Sequence, residues 1–113
     1  MLESVLIKYL IAADIVGSNV FAEVPKAKPN KYIVIQKTGS GRSDGINRAT
    51  VAIQSYSTTS LLDAATINEA VKESLYVMAE TTDIYRASLN SDYNYTSTNT
   101  KEYRYQAVFD FYY

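Results

Sequence analysis

The sequence predicts an α+β fold: a mixed sheet of about five strands with two helices packed on one face, in the order α-β-β-β-α-β-β. Three stretches carry this expectation. Residues 49–57 alternate like a strand and run straight into a helix over 61–79. The closing stretch alternates over 103–113, with Tyr103, Tyr105, Ala107, Phe109, Phe111 and Tyr113 on one side. The opening stretch has the three-and-four spacing of an amphipathic helix.

In chain order, Leu2, Val5, Leu6, Tyr9, Ala12, Ala13 and Val16 define one side of a first helix that ends near Gly17. Ile7 and Ile11 fall on its far side, as part of a broad apolar face in a small core or as a subunit contact. A short strand over 20–24 stops at Pro25, and Pro29 favours an extended connector. In the strand over 31–38, Tyr32, Val34 and Gln36 face one way and Ile33, Ile35 and Lys37 the other.

Residues 38–48 read as the loop of a long, mobile hairpin that carries Arg42 and Arg48, with Ser43-Asp44-Gly45 as its turn signal. In the next strand, Ala49, Val51 and Ile53 alternate with Thr50, Gln54 and Tyr56. Ser57 to Ser60 offer hydroxyls to a helix start, and Asp63 favours the positive end of the dipole. Leu61, Ala64, Ile67, Val71, Leu75 and Met78 form one apolar stripe, opposite Asp63, Glu69, Glu73 and Glu80. Thr81 to Asp83 make the exit, and Tyr85, Ala87 and Leu89 alternate with Ile84, Arg86 and Ser88 as a strand. A polar run over 90–100, with Tyr93 and Tyr95 exposed on or near it, is either the loop of a long hairpin or a partly ordered loop. In the last strand a one-residue slip would bury Glu102, Arg104 and Asp110, so its register is well determined.

Composition excludes more than it identifies. The 113 residues suffice for a single domain over 1–113 with one core. With no histidine and no cysteine, the chain lacks a Ser-His-Asp or Cys-His pair, the usual zinc ligands and any disulfide. No enzyme, cofactor or metal site is expected. A net charge of −1 gives no basic footprint for nucleic acid. Glu3, Lys8 and Asp14 interrupt the apolar N-terminal stretch, which reads as neither signal peptide nor membrane span, and a soluble intracellular protein is expected.

Two motifs invite a sharper reading and fail it. The glycines at 39, 41 and 45 lie between strands without the lysine of a phosphate-binding loop. Tyr103 to Phe111 has the aromatics of an RNA-binding strand but no interleaved glycines, and its aromatics share one alternating face.

Taken together, the element order resembles the tail terminator (tail completion) proteins of long-tailed bacteriophages. The local features behind the likeness are Thr38-Gly39 after a strand, residues 51–57 leading into a helix with Ala64 and Ala65, and Tyr103 to Gln106 opening the last strand. Chain length agrees as well. Tyr56 stands where the family pattern leads one to expect a tryptophan, and the loop over 39–45 is longer than a simple double glycine.

The resemblance implies a structural virion protein that assembles in the host cytoplasm as a ring, hexameric in the virion. The ring would cap the tail tube at the tail-head junction, end tube polymerisation and present a surface to the head-tail connector. DNA would pass through it without specific binding. A cyclic ring needs two different sticky surfaces on each subunit. Ile7 and Ile11, Tyr93 and Tyr95, and the open face of the sheet are the expected ones, with Arg42 and Arg48 as an arm toward tube, connector or DNA. Another phage neck or connector adaptor and a small nucleic-acid-binding αβ module are the competing readings.

Overall fold

The computed structural model describes residues 2–81, 86–96 and 102–113. It contains α1 (Leu2–Ala12), β1 (Val20–Phe21), β2 (Lys31–Ser43), β3 (Ile46–Ser57), α2 (Leu61–Thr81), β4 (Arg86–Asn94) and β5 (Tyr103–Tyr112). The element order and the α+β class are those expected from the sequence. The strands form one mixed sheet in the order β1-β2-β3-β5-β4, parallel only between β1 and β2.

Both helices cover the same face. Leu2, Leu6 and Leu10 of α1 and Ile67, Val71, Leu75 and Met78 of α2 share a core with Ile33, Ile35, Val51, Ile53, Ala107, Phe109 and Phe111. The α2 stripe is therefore core, except Leu61, which is 37% exposed at the first turn. The sharp start of α2 follows from its caps. Ser60 Oγ accepts from the Asp63 amide at 3.0 Å, and Ser57 Oγ donates to Asp63 Oδ2 at 2.7 Å. The hydroxyl thus satisfies an amide that lacks an intrahelical partner. Lys31 reaches Asp63 at 3.2 Å, tying the helix start to β2.

Besides the strand expected over 20–24, which is only the two residues Val20–Phe21, three expectations need correction. First, α1 ends at Ala12, not near Gly17, because Asp14 takes φ 56° and the Asp14 amide closes a tighter turn onto Ile11 O at 3.0 Å. Its buried ridge is Leu2-Leu6-Leu10, and Ile7 packs against the core as part of the broad apolar face, while Val5 is 44% exposed.

Second, most of 38–48 is ladder. β2 and β3 pair through Ser43↔Ile46, and the hairpin closes at Asp44 (φ 51°) and Gly45 (φ 77°). Positive φ at both central residues is the tight two-residue turn whose twist matches the flanking strands, which is why Asp-Gly serves here. Thr38 is the extra residue of a bulge, its hydroxyl donating to Thr50 O at 3.2 Å. Third, Tyr93 lies within β4, which continues through the polar run to Asn94. The expected helix exit over 82–83, the strand start at Ile84 and Tyr85, and the loop over 97–101 lie outside the described residues, as does the Glu80 side chain.

Candidate functional site

The face of the sheet opposite the helices is where unlike groups converge. Alternation sends Tyr32 and Val34 of β2, Gln54 and Tyr56 of β3, and Arg104 and Gln106 of β5 to this face. Neither α1 nor α2 covers it, yet Tyr32, Val34, Tyr56, Gln54 and Gln106 are all buried. They bury one another.

Register explains how, because pairing lines these side chains into two transverse rows. In one row, Tyr32 pairs with Tyr56 and Tyr56 with Arg104. The tyrosine rings stack at 4.4 Å with 9° between planes, and Phe21 adds an edge contact to Tyr32 at 6.4 Å. The Arg104 guanidinium lies 4.2 Å from the Tyr95 ring centroid and 5.4 Å from that of Tyr56. Arg104 also donates to Tyr56 OH at 3.0 Å and to Tyr95 O at 2.8 Å.

In the second row, Gln54 pairs with Gln106 and Gln106 with Tyr93. Gln54 Nε2 donates to Gln106 Oε1 at 2.9 Å, while Gln106 Nε2 donates to Tyr93 OH at 2.5 Å. Tyr56 OH closes the network by donating to Gln54 Oε1 at 3.0 Å. Buried amides cost little when they are hydrogen-bonded, and here both amide oxygens accept and both amide nitrogens donate.

At the ends of the rows the face becomes charged. Tyr32 OH donates to Glu102 at 2.7 Å, and Glu102 meets Lys28 at 3.6 Å. Burial, reinforced by that carboxylate, raises the Tyr32 phenol well above its ordinary value. Toward the hairpin, Asp110 accepts from Thr50 at 2.6 Å and Asn90 at 3.2 Å, with Arg48 at 3.6 Å. The Thr50 bond, then those of Asn90 and Arg48, holds its carboxyl below the usual range. Gly39, Ser40, Gly41, Arg48 and Thr50 line a recess of about 190 Å³.

Of the residues singled out from sequence, Tyr93 and Tyr95 meet edge to face at 5.7 Å, and both remain more than 40% exposed. Arg48 shares their face but lies toward the hairpin, tied to Asp110. Arg42 pairs with Asn47, and this register gives it the opposite face from Arg48. Ile11 is 36% exposed on α1, in the other layer. The six residues thus form no single site. Sequence reasoning missed the residues that join the tyrosines: Arg104, Gln54, Gln106 and the Tyr32–Tyr56 stack. The available signal was their shared parity on three strands.

Nothing in this arrangement resembles a reaction centre. Among the described residues no group of three or more His, Cys, Asp or Glu could hold a metal ion. No described helix is long and apolar enough to cross a membrane. The face offers rigid aromatic area, balanced charge and satisfied hydrogen bonds, which suits contact with another surface.

Comparison with known proteins turns on fold. The chain is similar to a chain in a solved structure of the virion of a native gene transfer agent particle, with a TM-score of 0.78. The match covers 98% of this chain and 92% of that chain at 15% sequence identity. The likeness is one of fold. No protein-family model matches the chain, and no curated protein matches it.

Proposed function

We propose that this chain is a structural virion protein of the tail-terminator kind. It forms a ring on the finished end of a tail tube, stops tube polymerisation and presents a surface to the head-tail connector. The observation that carries the reading is the near end-to-end fold likeness to a chain of a virion particle. Two further observations support it. The helix-free face satisfies its own polar groups and balances Arg48 and Arg104 against Asp110 and Glu102, as suits a wall that DNA passes without being held. The two edges of the sheet, at β1-β2 and at β4, are unlike, as a heterologous ring contact requires.

In this reading Tyr93, Tyr95 and Ile11 contribute exposed contact area, and Arg42 and Arg48 reach a neighbouring virion protein from the hairpin. Ile7, packed against the core, supports α1 from within. The role is non-enzymatic, its place is the tail-head junction, and one domain over 1–113 performs it. Disrupting the gene in the phage or particle that encodes it tests the reading. Tails of uncontrolled length, separate from filled heads, are expected. Tails of normal length lacking heads would instead assign the chain to a connector adaptor.

A further inference from the structure

The sheet has two free edges of equal length and compatible direction. β1 leaves the sheet after Phe21, its register on β2 ending at Val34. Beyond that, among the described residues, positions 35–43 of β2 have a pairing partner on the β3 side only. At the other end β4, of nine residues, pairs with β5 alone among the described residues. Positions 35–43 also number nine. Since β2-β3, β3-β5 and β5-β4 are all antiparallel, β4 runs opposite to β2.

We propose that copies of this chain join edge to edge, β4 of one subunit pairing antiparallel with residues 35–43 of β2 in the next. This rests on the ring reading above and deepens it by naming the contact. The full-overlap register opposes Ile35 to Asn94 and Ser43 to Arg86. It is singled out by side-chain parity. Lys37 pairs with Val51 and Asp92 with Ala107, so both lie on the helix side, and the register opposes Lys37 to a carboxylate that already meets Lys72 at 2.8 Å within its own subunit. Gln36, opposite Ala52, and Tyr93, opposite Gln106, share the helix-free side, and they too meet.

Each edge strand carries one bulge, at Thr38 and at Asn90. The same register sets Thr38 against Ser91 and Asn90 against Gly39. The two interruptions therefore coincide, and parity is restored on both sides of them. Bulges normally protect an edge from indiscriminate pairing. Matched bulges permit one partner and one register, because a slip of one residue would turn every side chain to the wrong face. The contact is heterologous, so repeating it closes a ring when the rotation per subunit divides the circle, and in that ring β4 and residues 35–43 of β2 are both paired.

The chain has no cysteine, so introduced thiols report the contact without background. Gly41 and Ser88 come opposite each other in this register, and a side-chain carbon at Gly41 meets nothing within 4 Å. Within one subunit they lie on opposite edges of the sheet. The double variant Gly41→Cys/Ser88→Cys is oxidised with the tube protein of the same genome, and non-reducing gels are compared with native mass spectrometry. Directly opposed strand positions fall within disulfide reach. Covalent multimers beyond dimer are expected, with monomer from Gly41→Cys/Asn94→Cys, whose thiols would sit about 20 Å apart. Multimers in native mass spectra without cross-linking would overturn the edge contact while leaving the ring intact. Covalent dimers from Ser88→Cys alone would overturn it in favour of a two-fold β4-β4 contact. Monomer in both assays would bring down the ring reading itself.

Discussion

Tyr32 and Tyr56 stack at 4.4 Å, nearly parallel, on the side of the sheet that carries no helix. The pair lets a two-layer fold close its back without a third layer. Both rings are almost fully buried, and their hydroxyls point into the polar network, toward Glu102 and Gln54. Aromatic area and satisfied hydrogen bonds together replace the helix that would otherwise cover this face.

Tyr56 separates the two contributions. Tyr56→Phe keeps the stack but deprives Gln54 and Arg104 of a hydroxyl partner, at an expected cost of about 1–3 kcal/mol. Tyr56→Ala also empties the ring's space, and about 3–5 kcal/mol is expected. Urea unfolding of both variants measures the difference. Equal losses would mean that the hydroxyl alone matters.

Leu75 is fully buried where α2 meets the sheet. Leu75→Ala is expected to cost about 2–5 kcal/mol, with the spread set by how far Phe109 and Val71 relax into the gap. A melting curve unchanged by this substitution would contradict the packing of α2.

Ser60 caps α2 through its hydroxyl on the Asp63 amide. Ser60→Ala is expected to destabilise by about 0.5–2 kcal/mol, while Ser60→Asp retains most of the stability. Thermal unfolding of the two variants side by side distinguishes a cap from a mere boundary residue.

Acid sensitivity follows from two carboxylates. Asp110 is held below its ordinary value mainly by Thr50, and Asp63 mainly by Ser57 with Lys31 adding to it. A carboxyl whose folded value is depressed stabilises the fold above its unfolded value of about 3.9. That contribution is lost as pH falls through the lower folded value. Stability measured in urea should therefore be level from pH 7 to about 5 and decline below about 4. Asp110→Asn should flatten part of that decline, and an acid limb identical to that of the parent chain would contradict the assignment.

Much of the fold was legible because local signals and tertiary packing agree. Residues 49–57 and 61–78 alternate at their own periods, and Ser60 and Asp63 mark the junction between them. β5 was readable because slipping it would bury Arg104 and Asp110. The hairpin over 38–48 was not, since Gly, Ser and Arg have weak strand preference and hydrogen bonding to β3 overrides it. The end of α1 was hidden by Asp14 in a left-handed conformation, which removed Ala13 and Val16 from the helix. The helix-free network was least legible. Gln54 and Gln106 look like solvent-facing alternation until register places them opposite each other.

The central claim is that this chain forms a ring on a tail tube, and native mass spectrometry of the protein with the tube protein of the same genome tests it most directly. A single species of six copies, alone or bound to tube, is the predicted result. A strict monomer that ignores the tube protein would contradict it.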